Sequence, residues 1–271
     1  MYFNIGEIMI NVLAIGDVVG KLGRETVFSK LPGLIEEYNA FFTVVNGENA
    51  TTGNGINEKY AYKMLECGAD VITLGNHAYS KPEINNMLEC SDRIIRPLNY
   101  PADMAGDGVT VIEKDNIKLG VINIMGKTYM DGKLSCPFKT LDKAVENLKR
   151  RYDDLKCIIV DFHAEATSEK KALGFYMDGK ISAIYGTHTH VQTNDKRVLD
   201  GGTGYVTDIG MTGSYDSVIG LKKEIAIPRF LGEAQNRFRW AEERPMINAA
   251  VFKIDENTGK TLEITLINKD V

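Results

Sequence analysis

The chain holds four histidines, His77, His163, His188 and His190. Each stands just behind a short apolar, β-branched run: Val71 to Leu74, Cys157 to Val160, and Ile181 to Tyr185 for the last two. A lone histidine on a loop is ordinarily a polar surface residue, but four out of four behind such runs point to a common site. Two further runs end in a carboxylate beside a glycine, Gly16-Asp17 after Ile10 to Ile15 and Gly47-Glu48-Asn49 after Phe41 to Val45; Gly75-Asn76-His77 repeats the form. Asp, Glu, Asn and His without a thiolate suit a catalytic Mn, Fe, Zn or Co ion and argue against a structural Cys-rich zinc site. Six or seven such groups exceed what one ion with open positions needs, whereas two ions about 3.5–4 Å apart, sharing a carboxylate, use them all. The chemistry that follows is metal-assisted hydrolysis of an anionic ester, with paired ions activating a water and clamping the oxygens of an in-line phosphoryl displacement.

Positioning these groups requires elements whose ends meet. The apolar runs alternate with stretches of helical spacing: Arg24 to Tyr38 with an interruption near Pro32, Glu58 to Cys67, Lys81 to Leu88, Leu141 to Tyr152 and Glu169 to Met177. Such alternation predicts an α/β fold with parallel crossovers. Ligands in these folds bind outside the carboxyl ends of the strands, so five strand ends would gather the groups above into one pocket. Val109 to Glu113 turning into Lys118 to Ile124, and Ala249 to Ile254 turning into Leu262 to Ile267, read as antiparallel hairpins that make the sheet mixed. Gly16, Gly47, Gly75 and Gly186 suit tight strand exits where a side chain would clash or φ must be positive. With no repeat, low-complexity tract or linker, residues 9–271 are expected to form a single domain. The eight residues ahead of Met9 read as an upstream-start extension. Met211 to Arg244, of poor periodicity and holding the only tryptophan, Trp240, reads as loop, with a lid or an oligomer contact as alternatives.

A chain of 271 residues can bury a substantial core, and 44% hydrophobic with 25% charged residues exclude disordered and fibrous classes. With 37 acidic and 32 basic residues the net charge is −5, so no overall positive field holds duplex nucleic acid, and an anionic substrate needs a local cation. Cys67, Cys90, Cys136 and Cys157 form no CxxC pair. No positively charged leader and no apolar run of membrane-spanning length is present, so a cytoplasmic protein with no membrane partner is expected.

Read in order, Gly16-Asp17-Val18-Val19-Gly20, Asn46-Gly47-Glu48-Asn49-Ala50, Gly75-Asn76-His77, Asp161-Phe162-His163-Ala164-Glu165 and Gly186-Thr187-His188-Thr189-His190-Val191 resemble the calcineurin-like metallophosphoesterases. The set is most similar to their bacterial YmdB-like branch, and the likeness runs from about Met9 to the C-terminus, including Thr207-Asp208-Ile209-Gly210-Met211-Thr212-Gly213. Two positions depart from the broad superfamily: Val19 stands where a ligand histidine is usual, and Glu48 where an aspartate is. The narrower branch shares both. The resemblance implies a mixed β-sheet sandwich flanked by helices, with the active site at the strand C-terminal ends. It implies Asp17, Glu48, Asn49 and His190 on one metal, Glu48, Asn76, His163 and His188 on the other, and His77 uncoordinated near the leaving group. It implies a binuclear-metal phosphodiesterase acting on cyclic nucleotides, 2′,3′-cyclic ones first, by attack of a metal-bridging hydroxide. Iron is the first expectation for the two ions, with Mn, Zn or Co as alternatives. His77 would give a proton to, or stabilise, the departing ribose oxygen.

Asp161 and Glu165 flank His163 and are candidates for orienting a ligand imidazole, with plain solvation an equal reading for Glu165. Gly126-Lys127-Thr128 is not a P-loop, because five residues rather than four separate it from Gly120. A different class of function, a metal-dependent regulatory or RNA-binding protein with incidental phosphoesterase activity, lacks a basic, aromatic-interleaved stripe along the sequence. A homo-oligomer is left open.

Overall fold

The computed structural model describes residues 9–233 and 237–271, so the expected extension of residues 1–8 lies outside the described residues. In chain order the elements begin with β1 (Met9–Ile15), β2 (Asp17–Val18), α1 (Gly20–Glu37), β3 (Ala40–Asn46), α2 (Glu58–Glu66), β4 (Val71–Thr73), α3 (Ile84–Cys90) and β5 (Ile94–Ile95). The middle of the chain supplies β6 (Val109–Lys114), β7 (Ile117–Met125), α4 (Pro137–Arg151), β8 (Cys157–His163), α5 (Thr167–Tyr176) and β9 (Ala183–Thr187). Then follow β10 (Arg197–Val198), β11 (Gly204–Val206), β12 (Met211–Ser214), α6 (Lys223–Phe230), β13 (Pro245–Asp255) and β14 (Thr261–Asp270).

Strands buried on both faces read as continuous apolar runs, and β1 shows why. Its Leu13 and Ile15 join a core that includes Val27 and Leu31 of α1, while Ile10, Val12 and Ala14 join Leu119, Ile159 and Tyr185 of other strands. Alternate residues thus face a helix on one side and a second sheet on the other. The first sheet has the order β2-β12-β13-β1-β3-β4-β5, with β14 on the free edge of β13; the second has the order β10-β11-β9-β8-β7-β6. A third core, Ile122, Leu141, Val145 and Leu173 among it, lies between the second sheet and helices α4 and α5. The result is the helix-flanked sandwich of two mixed sheets that the sequence predicts, with both expected hairpins, β6-β7 and β13-β14, formed in antiparallel register.

Four expectations need correction. Helix α1 runs unbroken through Pro32: that residue is exposed, while Leu31 and Leu34 stay anchored in the core and hold the helix across it. Helix α4 starts at Pro137, where proline costs no helical hydrogen bond, four residues before the apolar periodicity begins. Helix α3 starts at Ile84, three residues after the expected Lys81. The stretch from Met211 to Arg244 is not simply loop: β12 pairs in parallel with β2 and antiparallel with β13, and α6 follows.

Candidate metal centre

Both sheets deliver side chains to one end of the sandwich. From the first sheet, Asp17 follows β1, Glu48 and Asn49 follow β3, and Asn76 and His77 follow β4; from the second, His163 ends β8 and His188 and His190 follow β9. The sheets are tied together directly beneath: Asn46 Nδ2 and Thr73 Oγ1 donate to Asp161 Oδ2 at 3.0 and 2.5 Å. Gly75 leaves the space, since a Cβ there would lie 2.2 Å from Glu48 Oε2 and 2.4 Å from His163 Nε2. Clash explains all four expected strand-exit glycines, and none of them has a positive φ.

The hydrogen bonds assign the ring protons. Thr187 Oγ1 donates to Asp161 Oδ1 at 2.6 Å, so it accepts from His163 Nδ1–H at 2.9 Å and leaves the neutral ring a lone pair on Nε2. His188 Nε2 faces the Glu165 carboxylate at 3.2 Å, which puts its proton there and its lone pair on Nδ1. Around His163 Nε2 then stand His188 Nδ1 at 3.0 Å, Asn76 Oδ1 at 2.9 Å and Glu48 Oε1 at 3.2 Å. With His163 neutral, four acceptors converge; a proton on its Nε2 would be the single donor among them. A proton satisfies one of them; a cation satisfies all four. Glu48, His163 and His188 have ligand atoms within 4.8 Å of one another.

The second group is centred on Asp17. His190 Nδ1–H donates to the Ile219 carbonyl at 3.1 Å, turning the Nε2 lone pair toward Asp17 Oδ1, 3.7 Å away. Asp17 Oδ2 accepts from the His188 backbone N–H at 3.0 Å, but Oδ1, fully buried, has no hydrogen-bond partner among the described residues. An unpartnered buried carboxylate oxygen is costly unless a cation meets it. Asn49 Nδ2 donates to Glu48 Oε1 at 2.8 Å and approaches His190 Nε2 at 3.3 Å, so Glu48 Oε1 lies between the two groups. Asn49 presents nitrogen to both; serving as a ligand requires rotating its amide to bring Oδ1 inward. His188 and His190 both hold left-handed backbone conformations, φ +96° and +63°, a strain typical of functional turns.

The electrostatics agree with a cation site. Burial raises the Asp17 carboxyl to about 6 against the pull of His190 and His163. Burial would raise Glu48 as well, but His163 and the His77 backbone N–H bring it down to about 2. Burial opposes charge on His163, yet Glu48, Asp17 and Asp161 lift it to about 9, while burial and then the neighbouring His163 push His188 down to about 3. The field that holds a proton on one ring nitrogen would hold a divalent cation at the same point.

All seven expected ligands therefore meet, and His77 stands at the rim, half-buried, its Nε2 accepting from Asn76 Nδ2 at 3.3 Å. Asp161 and Glu165 both orient imidazoles, but different ones: Asp161 acts on His163 through Thr187, and Glu165 on His188. Lys127 is exposed, and its backbone N–H, with that of Thr128, donates to the Glu169 carboxylate. Sequence reasoning missed the pair beneath the histidine turn. Lys170, 1% exposed, donates to the Thr187 carbonyl at 2.9 Å and to Asp208 Oδ2 at 2.7 Å, and Asp208 Oδ2 also accepts from Thr189 Oγ1 at 2.8 Å. Asp208 lies in a stretch that carries the resemblance; a lysine on a helix gives no such signal.

A family model described as YmdB-like protein matches residues 13–267. The chain is 43% identical to a 2′,3′-cyclic-nucleotide 2′-phosphodiesterase of Bacillus subtilis, over 96% of this chain and 98% of the relative. The solved structure of a novel phosphatase from Mycoplasma pneumoniae superposes with a TM-score of 0.90 at 34% identity, covering 97% of this chain and 94% of that one. The NAD nucleotidase of Haemophilus influenzae, at 16% identity and a TM-score of 0.60 over 97% of this chain and 56% of its own, shares the fold alone.

Proposed function

Because the chain belongs to the YmdB-like protein family, we propose that it is a metal-dependent phosphodiesterase that hydrolyses 2′,3′-cyclic nucleotides. The observation that carries this reading is the convergence of His163, His188, Asn76 and Glu48 on one point, beside the orphaned oxygen of Asp17. The family implies divalent metal ions, and the Glu48–His163–His188 cluster is compatible with them. The finer assignment is two ions, iron first with Mn, Zn or Co as alternatives, one on Asp17, Glu48, Asn49 and His190 and the other on Glu48, Asn76, His163 and His188. When bound, such a pair lowers the pKa of a water and neutralises phosphate oxygens, positive charge that a chain of net −5 otherwise lacks.

The chain's own residues do the rest. Glu48 is the shared carboxylate. Thr187 and Glu165 fix the tautomers of His163 and His188, and the Ile219 carbonyl fixes that of His190. His77, whose Nε2 lies 3.3 Å from Asn76 Nδ2, stands where its imidazolium form gives a proton to the ribose oxygen as the ester bond breaks and returns to the neutral ring. Residues 9–271 act as one domain. No helix among the described residues is long and apolar enough to cross a membrane, and the free, unpaired cysteines suit a cytoplasmic setting. The alternative, a regulatory or RNA-binding protein in which turnover is incidental, is not favoured beside a 43% identical relative named as a phosphodiesterase.

Elemental analysis and turnover of adenosine 2′,3′-cyclic phosphate test this together. Two metal equivalents and turnover are expected in the wild type; Glu48→Gln, which keeps the shape and removes the charge, is expected to lower the metal content and abolish most activity. Undiminished activity in metal-replete Glu48→Gln protein removes Glu48 from its bridging role, and no turnover by the metal-loaded wild type overturns the reading.

A further inference from the structure

Between α4 and the segment from Leu98 to Ala102 lies a cleft of about 730 Å³. None of the fifteen residues lining it is acidic, in a chain whose net charge is −5. Lys139, Lys143 and Arg151 line its helical wall at spacings of four and eight, one stripe of α4 with about 6 Å of rise per four residues. All three are exposed, and Lys139 and Lys143 make no ion pair among the described residues. Arg151 lies over the Tyr152 ring, 5.4 Å from its centroid, with its charge still unpaired by any carboxylate among the described residues. The floor is apolar, with Val109 and Leu148.

Two residues of the cleft wall are tied to elements that carry the candidate centre. Asn99, on its wall, accepts from Met125 N–H at 2.9 Å and donates to the Met125 carbonyl at 2.7 Å, and Met125 pairs in register with His163. Tyr100, also on the wall, packs edge-on against Tyr79 with ring centroids 5.5 Å apart, two residues beyond His77. Its phenol is pushed up to about 12 by burial first and then by the carboxylate of Glu48. A cationic stripe, an apolar floor and an aromatic threshold are the parts from which single-strand sites are made: charge tracks the phosphates, rings receive the bases.

We propose that this cleft holds the 5′-side nucleotides of a single-stranded oligoribonucleotide whose terminal 2′,3′-cyclic phosphate lies at the candidate metal centre. It rests on the reading of that centre as a cyclic phosphodiesterase and extends its substrate class from mononucleotides to RNA ends. The geometry of the substrate agrees, because a 2′,3′-cyclic phosphate sits at the 3′ terminus and all remaining nucleotides leave through its 5′ oxygen. In the reaction, water forms a bond to phosphorus, the P–O2′ bond breaks, O2′ takes a proton, and a 3′-phosphate end remains. Such cyclic ends come from reactions in which a ribose 2′-hydroxyl attacks the adjacent phosphodiester of an RNA chain, so that class of cleavage would supply the substrate.

The test compares adenosine 2′,3′-cyclic phosphate with a hexaribonucleotide ending in a 2′,3′-cyclic phosphate, using the metal-replete full chain and its K139E/K143E/R151E variant. The hexamer is expected to show a kcat/KM about 10-fold or more above the mononucleotide. That advantage should weaken with salt at a log–log slope of about −2 for three phosphate contacts, and should vanish in the variant, with mononucleotide turnover unchanged. Equal kcat/KM for the two substrates, an advantage that persists in the variant, or equal loss on both overturns it. Fluorescence anisotropy with a labelled hexaribonucleotide 3′-phosphate separates the two readings. Binding through the three cations without turnover of either ester condemns the reading of the metal centre alone. An acidic peptide that binds as tightly as the RNA makes the cleft a general anion groove and overturns the proposal.

Discussion

His77 touches the centre without joining it: its backbone N–H donates to Glu48 Oε2 at 3.2 Å, while its ring accepts from Asn76. That placement suits a proton donor to the leaving oxygen. A ribose alkoxide needs a proton as the bond breaks, whereas p-nitrophenolate delocalises its charge and needs little help. His77→Ala is expected to slow hydrolysis of a 2′,3′-cyclic nucleotide by about 10²-fold or more and that of a p-nitrophenyl phosphodiester much less, at unchanged metal content. Kinetics on both esters, with metal measured on the same samples, check it. Equal losses would mean positioning, and loss of metal would make His77 a ligand.

At the scale of elements, Ile219 and Trp240 from the stretch between Met211 and Arg244 support the group of Asp17 and His190. The indole of Trp240 fills a space left by three glycines; a Cβ on Gly53 would lie 1.9 Å from the ring, and Gly20 and Gly220 border it as well. Trp240 bridges to Leu221, and two residues before Leu221 is the Ile219 carbonyl that orients His190. The tryptophan therefore clamps together the turn after Asp17, the loop after Asn49 and the anchor of His190. Trp240→Ala should cost roughly 2–3 kcal/mol, below the ~3–5 of a fully buried aromatic, because this ring is only partly buried. It should also lower metal content selectively, toward one equivalent, as the Asp17–His190 group loosens. Thermal melting with metal analysis reads both, and unchanged stoichiometry in a destabilised variant would limit Trp240 to packing.

For the molecule as a whole, the inter-sheet core holds the two halves of the centre in register, and Cys157 reports on it from within. Its thiol is pushed up to about 12, chiefly by burial, whereas Cys90 and Cys136 are exposed. A thiol-reactive reagent at pH 8 should label those two rapidly and Cys157 only at the rate of global unfolding. The linkage has a definite sign. The folded thiol keeps its proton where the unfolded one, near 9, has lost it, so this group's contribution to stability falls as pH climbs from about 9 toward 12. Labelling of Cys157 in the native state as fast as that of Cys90 would show that the sheets separate without unfolding.

Strand positions and ligand types were legible along the chain because both are local. A strand buried on two faces is an unbroken apolar run, and the glycine and ligand that follow it are its immediate neighbours, as in Ile15-Gly16-Asp17 and Val45-Asn46-Gly47-Glu48. Those runs and motifs implied an α/β fold with a mixed sheet and a pocket of Asp, Glu, Asn and His; the sandwich and the set of seven ligands came from the family resemblance. What only the tertiary structure decided joins residues far apart. Asn46 reaches Asp161 across 115 positions, and Lys170 reaches Asp208 across 38. His190 depends for its tautomer on a carbonyl 29 residues on, and the cationic cleft sets Tyr100 beside a helix that begins at Pro137. Sequence spacing carries no record of which strands pair or which loop lies over which, and those choices set the surroundings of each histidine and the orphaned oxygen of Asp17.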